Sequence, residues 1–123
     1  MDHQDADFLQ RAAAARARVA QTDPASVDRL IAAGAVAIDV RELEEHARGS
    51  VPGAVHLSLD DLAERIATIV PDKSAQIVCF CNAGNRGSLA AAQLEDMGYT
   101  NVSSISGGLK SYVATKPRED KRP

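Results

Sequence analysis

The sequence has no surplus of positive charge: 14 Lys and Arg stand against 17 Asp and Glu, for a formal net charge of −3. A nucleic-acid binder normally carries a basic stripe, so that class is excluded. Long uninterrupted apolar runs are missing as well, which excludes a membrane-spanning helix. The opening residues, MDHQDADFLQ, lack the basic and apolar regions of a secretory signal. Cysteine is scarce: two residues, Cys79 and Cys81, flank Phe80 and lie too close together to staple a fold. They fit a reducing, cytoplasmic setting, where a conspicuous cysteine is more often reactive than structural. No His-x3-His pair accompanies them, so no metal site is expected. Neither Gly-Lys-Ser nor Gly-Lys-Thr occurs, which removes a nucleotide-binding P-loop. There is no internal repeat.

What remains is an ordinary globular composition, 123 residues with 45% apolar and 25% charged, enough for one domain with its own core. Residues 5–20 read as a helix with a thin apolar stripe of Phe8, Ala12, Ala15 and Val19. That stripe suits a covering helix, with a docking or dimer surface as the alternative. A second helix is capped by Thr22 or Asp23, carries Pro24 in its first turn and ends at Gly34. Strand and helix then alternate. Residues 35–40 (AVAIDV), 54–59 (AVHLSL), 76–80 (QIVCF) and 101–105 (NVSSI) read as strands. Between them, Ser58 offers a cap for a helix bearing Leu62, Ile66 and Ile69, which Pro71 closes. A helix over residues 86–97 turns Ala90, Leu94 and Met97 inward and Ser88, Ala92, Glu95 and Asp96 outward. A short helix follows Gly107-Gly108 through Tyr112, and the tail from Lys116 has no apolar anchor. The pattern predicts a parallel sheet of about five short strands with helices on both faces, plus an extra N-terminal helix. The expected division is an N-terminal helical extension over 1–21, the domain over 22–115 and a flexible tail over 116–123.

In such sheets ligands sit beyond the carboxyl ends of the strands. One segment puts chemistry there. The strand ending at Phe80 runs into Cys81-Asn82-Ala83-Gly84-Asn85-Arg86-Gly87-Ser88, which opens a helix. A thiol in that position faces the unpaired N–H groups and positive dipole end of the helix. Ala83, Gly84 and Gly87 let the loop curl so that several N–H groups point at one centre. Arg86 adds a fixed positive charge. Each factor favours thiolate over thiol and makes Cys81 the nucleophile, whereas Cys79, inside the strand, reads as core packing.

The loop Cys81-x4-Arg86 resembles the active-site loop of rhodanese-like sulfurtransferases. Asp39-Val40-Arg41-Glu42 is similar to the family's Asp-x-Arg-Glu signature, and Val51-Pro52-Gly53-Ala54 to its Ile-Pro-Gly-Ala turn. Gly107-Gly108 is similar to its late Gly-Gly before an aromatic. Together these span about residues 22–113. The resemblance implies a rhodanese-like α/β domain in which Cys81 takes a sulfane sulfur from thiosulfate or a persulfide donor and passes it to a thiol or cyanide. The N–H groups of Asn82, Ala83, Gly84, Asn85 and Arg86, with Gly87 behind them, would hold the sulfur. Arg86 would close and electrostatically support the loop, and no cofactor or metal would be required. Asp39 and Arg41 read as an internal support. The expected partners are a small-molecule donor and a thiol acceptor, with a protein sulfur acceptor as an alternative. The chain would act as a monomer or weak homodimer, with no nucleic acid and no membrane.

Four positions depart from the family pattern. Ser50 replaces a histidine, Gly87 a serine and Tyr112 a tryptophan. Asn82 stands where a basic residue is frequent, which lowers the expected affinity for an anionic donor. Phosphatases of the same fold carry a longer Cys-x5-Arg loop, wide enough for a tetrahedral oxyanion. A non-catalytic docking module is the remaining alternative. His46 and the charges Glu42, Glu44, Glu45 and Arg48 read as solvated, with Arg48 a candidate for attracting the donor, and His56 as a satisfied rim residue. His3 is expected in a disordered start.

Overall fold

The computed structural model describes residues 5–117, so His3 and the tail beyond residue 117 lie outside it. Helix α1 (Ala6–Arg18) starts where the Asp5 carboxylate accepts the Asp7 N–H at 2.8 Å. Its stripe of Phe8, Ala12, Ala15 and Val19 is buried within the chain, so α1 is a covering helix. Full burial of Phe8 contributes on the order of 2–3 kcal/mol. Strand β1 (Ala20–Thr22) follows at once, where the sequence pattern still predicted helix for its first residue. Three residues without alternation give no strand signal of their own. Pairing with a neighbouring strand makes this one.

The helix expected after Thr22 divides into a 3₁₀ turn (Pro24–Ser26), capped by Asp23, and α2 (Val27–Ala32). Then come β2 (Val36–Asp39), the short α3 (Leu43–Ala47) and β3 (Val55–His56). Strand β3 is shorter than its apolar run because a 3₁₀ turn starts at Leu59 and leads into α4 (Leu62–Ile69). Ser58 does not cap a backbone N–H here, since its hydroxyl donates to the Asp61 carboxylate at 3.2 Å. The chain continues through β4 (Ile77–Phe80), α5 (Asn85–Asp96), β5 (Val102–Ile105) and α6 (Gly108–Ala114).

All five strands are parallel, in the order β1-β5-β4-β2-β3, so β4 runs through the middle. Alternation along β4 sends Ile77, Cys79 and Cys81 into the core beneath α4 and α5, and Val78 and Phe80 into the core beneath α2 and α6. Cys79 and Cys81 thus share one face of the sheet. Helix α5 buries more than the expected stripe. Ser88 and Ala92, expected outward, are buried. The reason is α1: Arg16 donates to Asn85 Oδ1 at 2.7 Å, and Arg18 to the Ala92 carbonyl at 3.3 Å and to Asp96 at 2.6 Å. Tyr112 is buried, its hydroxyl donating to Asp28 at 2.6 Å. Lys116 pairs with the same Asp28 and lies over the Tyr112 ring.

Candidate active site

Cys81 follows the end of the central strand and is 2% exposed. The next residues must reverse the chain within a few peptides, and Gly84 does so at φ 116°, a conformation that L side chains rarely adopt. This turn aims the Gly84 N–H at the Cys81 sulfur, 3.1 Å away. Helix geometry leaves the N–H groups of Asn85, Arg86 and Gly87 without intrahelical acceptors, and they add to the positive end of the α5 dipole. Gly87 serves by closeness rather than by φ. A Cβ there would stand 3.0 Å from the Phe80 Cα and 3.3 Å from the Cys81 nitrogen, so glycine lets α5 start directly against β4.

The loop's carbonyls turn the other way. The N–H groups of Leu109 and Lys110, at the start of α6, donate to the carbonyls of Cys81 at 2.7 Å and Asn82 at 3.0 Å. A Cβ on Gly108 would lie 2.6 Å from those same carbonyl oxygens, which is why the late Gly-Gly pair is needed. Carbonyls held outward leave the N–H side of the loop facing the sulfur.

A chain of side chains fixes the loop from β2. Arg41 holds Asp39 with two hydrogen bonds, Nε to Oδ1 at 2.9 Å and Nη2 to Oδ2 at 2.8 Å. Its Nη1 donates to Asn82 Oδ1 at 2.9 Å. Asn82 Nδ2 donates to Glu45 at 2.8 Å, and Glu45 takes both ends of the Arg86 guanidinium at 2.8 and 3.2 Å. Hydrogen bonding by Arg86 outweighs the opposing effect of partial burial and holds the Glu45 carboxyl at about 2. Asp39 is fully buried, which alone would raise its pKa. Hydrogen bonds from Arg41, His46 and Ser50 overrule burial and hold it at about 2. Ser50 therefore retains a donor to Asp39, at 2.8 Å, where the family pattern has histidine.

Glu45 is the functional position that the sequence missed, since its pattern placed it among solvated charges. The available signal was indirect: a buried arginine closing a loop needs a carboxylate, but spacing could not choose among Glu42, Glu44 and Glu45. His46 is half-buried, with Nδ1 2.9 Å from Asp39. His56 meets the Arg41 carbonyl at 2.8 Å. Cys79 is fully buried, and burial pushes its thiol up to about 12.

Three hollows border Asn82. One of about 530 Å³ is lined by Ala83, Leu109, Lys110 and Val113, another of about 430 Å³ by Arg41, Arg48, Ser50 and Leu109, and neither includes Cys81. Arg48 therefore borders a different hollow from the nucleophile. The smallest of the three, about 250 Å³, holds Cys81 among Ala83, Asn85, Arg86 and, from α1, Phe8 and Leu9. Of the loop residues expected around the sulfur, Asn82, Ala83, Asn85 and Arg86 line this hollow; Gly84 reaches the sulfur through its N–H, and Gly87 packs behind, against β4. Asn82 commits its side chain to Arg41 and Glu45, and the Asn85 Oδ1 accepts from Arg16. Among the described residues no group of three His, Cys, Asp or Glu side chains is placed to hold a metal ion.

Comparison with known proteins follows the same lines. The family model of the rhodanese-like domain matches residues 23–115. Thiosulfate sulfurtransferase PspE of Escherichia coli is 43% identical over 79 residues, covering 64% of this chain and 75% of that protein. Thiosulfate sulfurtransferase GlpE of Pseudomonas entomophila is 38% identical over 90 residues, covering 73% and 81%. Among solved structures, a protein of unknown function from Rhodopseudomonas palustris, described as a possible tyrosine phosphatase, superposes with a TM-score of 0.79. It is 25% identical and the match covers 89% of this chain and 92% of that one.

Proposed function

The chain belongs to the rhodanese-like domain family and is a sulfurtransferase, and on that premise we propose that Cys81 carries the sulfur as a persulfide. The observation behind this reading is the Gly84 N–H, 3.1 Å from the Cys81 sulfur at the start of α5. The Cys81 thiolate attacks the sulfane sulfur of thiosulfate or a persulfide donor. The donor's S–S bond breaks, and its electron pair leaves with sulfite or the donor thiolate. The terminal sulfur of the resulting persulfide is an anion, stabilised by the N–H groups of residues 82–86. A thiol acceptor or cyanide then attacks that terminal sulfur and returns Cys81 as thiolate, a double displacement.

Arg86 is already neutralised by Glu45, so its part is to position the loop, with Asp39 and Arg41 supporting it from β2. A phosphatase reaction is not carried over from the Rhodopseudomonas protein. Four residues separate Cys81 from Arg86, too tight a ring for a tetrahedral oxyanion. We assign the sulfurtransferase unit to residues 22–115, with 1–21 as an extension and 116–123 as a tail. A protein cysteine in place of the small thiol acceptor needs no change of mechanism. We place the chain in a reducing, cytoplasmic setting, where a nucleophilic cysteine such as Cys81 is kept as thiol or thiolate.

Intact-mass spectrometry tests the proposal. After incubation with thiosulfate or an organic persulfide, the protein gains ~32 Da, one sulfur, which cyanide removes. Cys81→Ser abolishes the gain and Cys79→Ser keeps it. No gain from either donor, or a gain that survives Cys81→Ser, overturns the persulfide assignment.

A further inference from the structure

We infer that α1 is part of the active site: Leu9, beside Phe8, forms an apolar wall next to Cys81 that selects donors whose sulfane sulfur is bonded to an apolar organic group over inorganic thiosulfate. This rests on Cys81 being the sulfur carrier.

The cleft itself is the first observation. Phe8 and Leu9 line the 250 Å³ hollow that contains Cys81, and they come from a helix outside the motifs of the catalytic loop. Phe8 is buried as an anchor, while Leu9 is 42% exposed. A single exposed leucine is ordinary, but this one borders the nucleophile. Helix α1 is also held in place, by Arg16 on Asn85 and Arg18 on Asp96, so the wall is fixed relative to the loop. Its volume lies just below the ~300–1,000 Å³ typical of drug-sized ligands, which suits an aryl or short alkyl group.

Charge is the second observation. Thiosulfate is a dianion, and its sulfonate end needs a cation or several N–H donors once it leaves water. Arg86 is the one cation among the described residues lining the cleft, and both ends of its guanidinium are taken by Glu45. Asn82 supplies no charge, and its amide is clamped between Arg41 and Glu45. The N–H groups around the sulfur serve the atom that is transferred, not the leaving group. A thiosulfonate, R–SO₂–S⁻, carries one charge fewer and places R against Leu9. Attack by the Cys81 thiolate breaks its S–S bond, the electron pair departs with the sulfinate R–SO₂⁻, and Cys81 keeps the sulfane sulfur. Atoms and charge balance as they do with thiosulfate, where sulfite departs.

The experiment compares kcat/KM for benzenethiosulfonate and for thiosulfate, with cyanide as acceptor, in the full chain. The wild type favours benzenethiosulfonate by about tenfold or more. Leu9→Ala lowers the benzenethiosulfonate value by about five- to tenfold and lowers the ratio of the benzenethiosulfonate to the thiosulfate value with it. Leu9→Lys puts an unpaired cation in the cleft, so the thiosulfate value rises while the benzenethiosulfonate value falls. Leu43→Ala, on α3 at 62% exposure and outside the cleft, changes neither. A donor ratio unmoved by both Leu9 variants, or moved as far by Leu43→Ala, overturns the inference and leaves the persulfide mechanism standing. Failure of the wild type with both donors, while Cys81 still alkylates with iodoacetamide, overturns the mechanism itself.

Discussion

Helices α5 and α6 are built alike and used differently. Each starts at the carboxyl edge of the sheet, straight after a strand, behind a glycine with positive φ: Gly84 at 116° and Gly107 at 75°. Each therefore aims free N–H groups at what precedes it. At α5 they meet the Cys81 sulfur beside an open cleft. At α6 they meet two carbonyls of the catalytic loop and are satisfied. One helix start is a site and the other a brace for it. The local build makes a cluster of donors, and what the chain sets before them decides whether they do chemistry.

The comparison breaks most visibly at the brace. Gly108→Ala adds a Cβ 2.6 Å from backbone oxygens that cannot move aside, at a φ of 69° that already strains any L residue. Overpacking and backbone strain together cost about 2–5 kcal/mol. Urea unfolding should show that loss, and sulfur loading of Cys81 should fall with it because the loop's carbonyls are released. A loss below about 1 kcal/mol would mean that α6 does not brace the loop.

The side-chain clamp on α5, which α6 lacks, comes next. Glu45→Gln leaves Arg86 nearly buried without its carboxylate and costs about 2–4 kcal/mol. It also has a pH signature. Glu45 is held at about 2 against an ordinary 4.5, and Asp39 at about 2 against 3.8. Folded values below unfolded ones mean stability that is complete above about pH 5 and lost as pH falls towards 2. Each group contributes on the order of 2–3 kcal/mol by this linkage. Unfolding midpoints measured from pH 7 to 2.5 should fall steeply below pH 4.5 in the wild type. They should fall less steeply in Glu45→Gln, and parallel profiles would show that Arg86 does not hold the Glu45 carboxylate.

Gly84→Ala sharpens the contrast with Gly108→Ala. A Cβ on Gly84 meets nothing closer than 3.9 Å, so only the strain of its φ remains, about 1–2 kcal/mol. Moving the N–H off the sulfur should nevertheless slow persulfide formation by at least about tenfold, as loss of one anion-stabilising donor does. Stability suffers most at the brace and rate most at the site. The reverse order would undo the assignment of roles.

The helix start at α5 was legible in the sequence because a cysteine, small residues and an arginine fall together between a strand and a helix. The brace was legible only as a motif. Nothing in Gly107-Gly108 says which backbone it must approach, because that approach is made across the sheet edge from a loop more than twenty residues earlier. The same limit hid Glu45, whose partner lies 41 residues away, and β1, which is a strand only because β5 lies beside it. It also hid the place of Leu9. The spacing of Phe8, Ala12, Ala15 and Val19 marked the buried stripe, but Leu9 lies off it, and nothing local says that the first turn of α1 borders Cys81. Local chemistry is written in neighbouring residues, and contacts between distant segments are not.

The smallest effect tests whether α5 works through its backbone alone. Ser88 stands on the helix face that also carries Asn85 and Ala92, the face held against α1 by Arg16 and Arg18. It is fully buried, and its hydroxyl finds no partner among the described residues, while its backbone N–H bonds the Gly84 carbonyl at 3.0 Å. A hydroxyl near the start of a helix is an obvious candidate to hold an anionic sulfur, but no hydrogen bond joins the Ser88 hydroxyl to the Cys81 sulfur. Ser88→Ala removes a buried group whose desolvation is uncompensated, so stability should hold or rise by up to about 1 kcal/mol. Persulfide formation should stay within about twofold, because the Gly84 N–H and its neighbours are untouched. A tenfold fall in sulfur loading at unchanged stability would show that the site needs a side-chain donor after all, and the likeness between the two helix starts would end at their backbones.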